Sequence, residues 1–126
     1  MTRAFLPAGA VMAGLSVAAG AFGAHSLKAV LSPEQMTVFE TAARYQMYHA
    51  LGLVAVGVLG QAGCGGDRLI RAAGWLFFLG ILLFSGSLYL VTLTGIRWLG
   101  AVTPLGGAAF LAGWGTLAWA AIKSKV

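Results

Sequence analysis

The chain has 126 residues, of which 60% are hydrophobic and only 9% are charged, and its mean hydropathy is +0.89. A soluble domain carries about 25% charged residues, so this chain has too few polar side chains to cover a water-exposed surface. Its net charge of +5 comes from cations that are scattered without a basic run, which argues against a nucleic-acid partner. The composition therefore predicts a membrane protein.

Four apolar stretches occupy most of the chain, and each is close to the ~20 residues that cross a bilayer core of about 30 Å. We predict membrane spans at about 5–24, 45–62, 69–93 and 98–122. The remaining loops are short, so a separate extramembrane domain is not expected. The predicted fold is an all-α, polytopic membrane protein, a single four-transmembrane-helix bundle over residues 1–126.

The segment between the first two predicted spans carries a helix-start signal. Ser32, Pro33 and Gln35 have the spacing of an N-cap, a first-turn proline and the third residue of a capping box. The residues that follow alternate between apolar and polar at helical spacing. We therefore predict an amphipathic interfacial helix over about 32–44, which either bends into the second span or continues as that span.

Small residues crowd the first predicted span and recur four apart, as in the pairs Ala10 and Gly14, and Gly20 and Ala24. In lipid, helices associate through close van der Waals approach, which small residues permit. The pattern predicts that this helix is central to the bundle.

The cations predict the orientation of the chain. With four spans, one side of the membrane holds five of them and the other side holds three, and cytoplasmic loops carry the excess of Lys and Arg. Both termini are therefore predicted to be cytoplasmic. The two sets are Arg3, Arg68, Arg71, Lys123 and Lys125 on one side, and Lys28, Arg44 and Arg97 on the other.

Two histidines, His25 and His49, fall near the predicted outer ends of their spans and allow several interpretations. They are candidate axial ligands of a haem, since one imidazole from each of two facing helices is needed. With Met36 and Met47 they are candidate copper ligands. They are also candidates for a proton relay or a polar ligand pocket. The plainest alternative is that they form hydrogen bonds between helices and fix the packing.

Glu40 and Arg44 are four residues apart, and so are Tyr45 and His49, so each pair shares a helix face. Arg44 is expected either to pair with Glu40 or reach the headgroups, or to bind an anionic ligand or lipid phosphate. The sequence contains no nucleotide-binding loop, nucleophile elbow or metalloprotease motif, and no carboxylate at the predicted midplane. These features predict a protein that is not an enzyme, and they weaken the case for a proton-coupled transporter.

Four separated blocks carry a family resemblance: GAFGAHSLK at 20–28, TAARYQMYHAL at 41–51, FSGSLYL at 84–90 and TPLGG at 103–107. Together they resemble the YgdD/YwdK-like family of small bacterial inner-membrane proteins, which is grouped as a domain of unknown function. The resemblance covers nearly the whole chain in order. It implies a four-span protein of the cell inner membrane, and it supplies no activity, substrate or catalytic residue.

Span direction places the polar residues of these blocks in the outer half of the membrane, where a bundle could gather them into one polar patch. We predict this patch as the functional region, with Arg44 and His49 at its centre. Its members are His25, Arg44, Tyr45, Gln46, His49, Ser85, Ser87, Tyr89, Thr103 and Pro104.

The leading functional hypothesis is an accessory membrane protein whose outer patch binds a membrane lipid, a quinone-like amphiphile or a larger membrane complex, with no assigned cofactor. A homo-oligomer is compatible with the glycine-rich helix faces. The alternative is a small transporter or channel in which the same groups line a path. An intramembrane haem or copper carrier is the third hypothesis.

Overall fold

A computed structural model describes residues 2–63 and 67–124, and it has no strand among these residues. The turn predicted between the second and third spans falls largely on 64–66, and Lys125 is also outside the described residues. Short 3-10 turns precede the first and last helices and follow the first helix. The main elements are α1 (Phe5–His25), α2 (Pro33–Gln61), α3 (Asp67–Gly80), a π-helical segment (Ile81–Ser85), α4 (Gly86–Thr94) and α5 (Thr103–Ser124).

Three helical stretches are long and apolar enough to cross a membrane by length and composition: Thr2–His25, Arg68–Thr94 and Arg97–Lys123. They coincide with the first, third and fourth predicted spans. The second predicted span, 45–62, lies within α2, which does not meet the same standard. Its strongly polar side chains lower the hydropathy of the helix. The all-α prediction is confirmed for the described residues, and three of the four predicted spans are supported on these grounds.

The start of α2 confirms the predicted capping box. The Ser32 hydroxyl oxygen accepts a hydrogen bond from the Gln35 backbone N–H at 3.1 Å, and the Ser32 backbone N–H donates to the Gln35 side-chain oxygen at 2.9 Å. Pro33 is the first residue of the helix, where its missing N–H costs nothing. From there α2 continues for 29 residues without a break at Arg44. The segment predicted as an interfacial helix, 32–44, and the predicted second span therefore belong to one helix.

The first helix packs along α2 in the antiparallel direction through small residues on one face. Gly9 lies against the α2 backbone at Ala50, Gly23 lies against the Phe39 ring, and the Ser16 hydroxyl donates to the Ala43 carbonyl oxygen at 2.6 Å. Because these three α1 residues are seven apart, they share one face of the helix.

The prediction that α1 is central to the bundle is wrong. An added Cβ at Gly14 or Gly20 would meet nothing within 4 Å, and Val11 and Val17 are each 61% exposed. The abundant small residues fall on all sides of the helix, but only one face is packed against α2. The helix therefore lies at the edge of the bundle.

Phenylalanine rings fill the space beside glycines where α3, the π-helical segment and α5 pack together. Phe77, which is fully buried, lies between Gly52 of α2 and Gly113 of α5. The Phe110 ring of α5 covers Gly80, whereas Gly106 of α5 lies against the backbone of Phe84. Since glycine has no side chain, each ring can approach the opposite helix closely and still fill the interior to normal density.

Replacing Gly9 by alanine is expected to destabilise the protein by about 1–3 kcal/mol, because overpacking forces backbones apart. The added Cβ would lie 2.6 Å from the Ala50 carbonyl oxygen and 2.8 Å from the Val54 nitrogen. Gly14→Ala on the same helix is the matched control, and it is expected to be neutral or to stabilise by up to about 1 kcal/mol through helix propensity. Unfolding in mixed micelles, followed by circular dichroism, measures both. Equal stability of the two variants would contradict the close packing of α1 on α2.

Candidate functional site

Several polar residues of the predicted patch tie neighbouring helices together. The Gln46 side-chain N–H donates to the Met12 carbonyl oxygen of α1 at 2.8 Å, and the Gln46 oxygen accepts the Tyr89 hydroxyl of α4 at 2.7 Å. The Ser85 hydroxyl donates to the Ala42 carbonyl oxygen of α2 at 2.7 Å. Gln46 thereby links α2 to two helices at once, with both ends of its amide used.

A second tie joins α4 to the first residue of α5. The Ser87 hydroxyl donates to the Phe84 carbonyl oxygen at 2.9 Å and lies 2.5 Å from the Thr103 hydroxyl. Because a hydroxyl has a single proton, Thr103 is the donor of the second bond. Throughout the described residues, no buried side-chain nitrogen or oxygen lacks a partner. Gln46, Ser85, Ser87, Tyr89 and Thr103 thus form hydrogen bonds within the bundle, and three of them, Gln46, Ser85 and Tyr89, also line a cavity of about 350 Å³.

His49 joins α2 to α5. Its Nε2 lies 3.0 Å from the Trp114 indole nitrogen, which is only a donor, so Nε2 accepts. Its Nδ1 lies 2.7 Å from the Tyr45 carbonyl oxygen and therefore carries the proton and donates it. The imidazole also stacks on Phe110, with 3.4 Å between ring centroids and an interplanar angle of 6°. Both ring nitrogens are engaged in this arrangement.

The two histidines do not converge. His25 is exposed at the end of α1, and Gly23, two residues before it, lies level with Phe39, ten residues before His49 on α2. Ten helical residues correspond to about 15 Å, too far for both imidazoles to bind one haem iron. The expectation that these histidines lie at similar depth is therefore wrong.

The proposed copper ligands are not assembled either. Met36 and His49 are thirteen residues apart on one continuous helix, a separation of about 20 Å. In the described part of the chain, no group of three or more His, Cys, Asp or Glu side chains is placed to hold a metal ion.

An apolar groove of about 830 Å³ lies between α2 and α5. Its lining includes Tyr45, His49 and Pro104 of the predicted patch. The other lining residues are Tyr48, Phe84, Gly107, Ala108, Phe110, Leu111 and Trp114. Sequence reasoning missed the aromatic residues among them, because a ring in an apolar helix usually indicates packing. Their spacing on one face of each helix was the available signal.

Arg44 lies outside this groove. Arg44 is exposed and does not line the groove, whereas His49 is buried and does line it. Five residues of helix separate their directions by about 140°, so the two side chains point to different faces of α2. The structure therefore does not bring Arg44 and His49 together at one centre.

Fold and composition together define the class as an α-helical protein built from apolar helices of membrane-spanning length. A family model described as "Protein of unknown function (DUF423)" matches residues 19–107. The chain is 51% identical over 114 residues to a UPF0382 membrane protein of Staphylococcus haemolyticus, covering 89% of each chain. It is 46% identical over 121 residues to the UPF0382 membrane protein YwdK of Bacillus subtilis, covering 96% of this chain and 98% of YwdK.

The chain therefore belongs to the UPF0382 (DUF423) family and is a membrane protein of unknown function. The family resemblance predicted from the four sequence blocks is confirmed. No solved structure gives a significant match to the chain.

Tyr89→Phe is expected to lower the free energy of unfolding by about 0.5–1 kcal/mol, because it leaves the Gln46 side-chain oxygen without its donor. Tyr48→Phe is the matched control, since Tyr48 is 50% exposed and has no hydrogen bond among the described residues. Mixed-micelle unfolding of both variants, alone and with Gln46→Leu, forms a double-mutant cycle. Additive losses from Tyr89→Phe and Gln46→Leu would show that the two side chains are not coupled.

Proposed function

We propose that the protein crosses the inner (plasma) membrane four times, with α2 as the second span. The support is the antiparallel packing of α2 on α1, whose two ends contact Phe39 and Gly57 of α2. Because neighbouring antiparallel helices occupy the same depth, the portion of α2 level with α1 is about 37–58. On this proposal the second span begins about eight residues and ends about four residues earlier than the hydropathy prediction of 45–62.

The polar side chains of α2 are compatible with this depth because the bundle satisfies them. Gln46 and His49 are each about 5% exposed or less, and each forms two hydrogen bonds. A polar group that faces lipid without a partner costs roughly several kcal/mol. A polar group that is hydrogen-bonded inside the bundle avoids this cost. Hydropathy counts such residues as unfavourable wherever they point, which is why it displaces the span toward Gln61.

Labelling of single cysteines in intact and opened cells tests the topology. We expect cysteines introduced at Thr2 and Lys123, in a Cys64→Ser background, to react only after the cytoplasm is opened. Cysteines at Lys28 and Arg97 are expected to react from outside, since these residues lie at the opposite helix ends. Arg3, Arg68, Arg71 and Lys123 supply the cytoplasmic excess of positive charge. Reaction of Thr2→Cys and Lys123→Cys from opposite sides would refute four spans.

For the function, we propose an accessory membrane protein that binds the apolar chain of a membrane amphiphile in the groove between α2 and α5. The observation that carries this proposal is the aromatic groove itself, whose volume of about 830 Å³ falls within the ~300–1,000 Å³ of small-molecule sites. Tyr45 and Tyr48 add hydroxyl groups to a lining that is otherwise apolar. Such a lining fits a hydrocarbon chain that carries a small polar end.

The state of the polar residues favours binding over transport. A conducting path needs polar groups that face an open route, whereas Gln46, Ser85, Ser87 and Tyr89 are already hydrogen-bonded between helices. The groove also opens at the side of the bundle, between two helices, where lipid chains have access. The proposal therefore assigns the protein binding of a lipid-like partner and no catalysis of its own.

A photoactivatable phospholipid with a diazirine in its acyl chain tests the groove in reconstituted bilayers. We expect labelling to concentrate on the α2 and α5 residues of the lining and to fall at least fivefold in Gly107→Leu. Gly107 lines the groove, and an added Cβ there would come no closer than 3.9 Å to Phe84, so a larger side chain fills the groove without forcing the helices apart.

Gly115→Leu is the matched control on the same helix, because nothing lies within 4 Å of an added Cβ there. Its labelling is expected to equal that of the parent protein. Labelling spread evenly over all lipid-facing helices, or unchanged in Gly107→Leu, would refute amphiphile binding in the groove.

A further inference from the structure

One face of α2 is turned away from the rest of the bundle and carries charges of both signs. Glu40 and Arg44 are exposed on it, and below them Tyr48, Leu51 and Val58 are each 50–55% exposed. These positions follow one another at steps of three or four residues, with Ala55 also exposed, so they form a continuous stripe along the helix. The groove between α2 and α5 contains Tyr48 at its edge and leaves the remainder of the stripe free.

The position of Arg44 along the bundle places it inside the proposed membrane region. The preceding residue, Ala43, accepts a hydrogen bond from Ser16 of α1. In the register set by the contacts of Gly23 with Phe39 and of Leu6 with Gly57, Arg44 is level with about residue 18 of α1, roughly 10 Å from the C-terminal end of that helix and 20 Å from its start. Its side chain leans toward the N-terminal end of α2, as helical side chains do, and therefore toward Glu40.

Neither charge is neutralised inside the chain. Across the residues that the structure describes, the side chains of Glu40 and Arg44 form no ion pair or hydrogen bond. Lys28 lines the same small cavity as Glu40 at the end of α1, but it is not within ion-pair distance. Charged side chains at this depth are rare unless they pair with one another or face a protein interior, so this face is expected to be covered.

We propose that a second copy of this chain covers the exposed face of α2, in a parallel two-fold pair of α2 helices. Viewed down the helix, the stripe spans about 80°, from Glu40 and Val58 at one margin to Tyr48 at the other. Glu40 and Arg44 are about 40° apart with Leu51 midway between them, so they lie on opposite sides of a contact line drawn through Leu51. A two-fold axis parallel to the helices places the Arg44 side of each α2 against the Glu40 side of the other α2. Arg44 of each copy therefore faces Glu40 of the other.

Charge complementarity favours a second copy over an anionic lipid as the occupant. A lipid phosphate would match Arg44 and would be repelled by Glu40, one turn away on the same face. A second copy satisfies both charges with the same two residues. Beyond them, Leu51, Ala55 and Val58 provide an apolar surface that includes a small residue, which allows close helix approach.

The test uses two copies with different affinity tags, expressed together and recovered from membranes in mild detergent. We expect the parent chains to purify together. When both tagged copies carry Glu40→Arg, or both carry Arg44→Glu, the amount of co-purified partner is expected to fall at least tenfold. Glu40→Arg expressed with Arg44→Glu is expected to recover the pair, because each copy then meets opposite charge only in its partner. A disulfide between two Ala55→Cys copies in native membranes, in a Cys64→Ser background, reports the same contact without detergent.

The mixed sample separates pairing between copies from pairing within one helix. Each of its two chains has like charges at positions 40 and 44, so an attraction within the helix is lost in both, and only contact between copies can restore association. Failure of the mixed pair to recover would overturn the proposal. So would parent chains that never purify together or cross-link, including the case in which native mass spectrometry finds a monomer that retains an anionic lipid.

Discussion

The structure depends on one constraint, which is that polar groups within a largely apolar helical bundle must find their partners inside it. Gln46 shows how this is met, because its amide spans from the α1 backbone to the Tyr89 hydroxyl of α4. His49 does the same between α2 and the Trp114 indole of α5. The central helix α2 is the most polar helix of the bundle, and these bonds make it the element to which the other helices are tied.

Close approach between helices is the condition for these bonds, and glycine provides it. Gly9 and Gly23 bring α1 against α2, near enough for Ser16 between them to reach a backbone carbonyl. On the other side of the bundle, Phe77 and Phe110 lie over glycines of the facing helices. Packing and hydrogen bonding are therefore linked, since a side chain larger than hydrogen at these glycines would separate the donors from their acceptors.

The two proposed surfaces follow from how α2 is surrounded. Where α5 approaches α2 only through side chains, the gap between them becomes the aromatic groove, with His49 and Phe110 stacked at its base. Where no helix covers α2, Glu40 and Arg44 remain exposed. The proposed amphiphile site and the proposed pairing face thus lie side by side on one helix. In a pair of copies, the two grooves would open beside the contact between them.

The sequence by itself determined the local and compositional features. The apolar content, the helix start at Ser32 and the three strongly apolar helices all follow from residue type and short-range spacing, as does membership of the family. These features depend on neighbours in the chain, so they can be predicted without knowledge of the packing.

Only the tertiary structure decided which side chains meet. Sequence reasoning grouped Arg44 with His49 and paired His25 with His49, because it treated predicted depth as proximity. In the structure, helix rotation directs Arg44 outward and His49 inward, and antiparallel packing places His25 far along the bundle from His49. The physical reason is that rotation and register are set by contacts between residues distant in sequence, chiefly glycines and aromatic rings, and hydropathy contains no information about them.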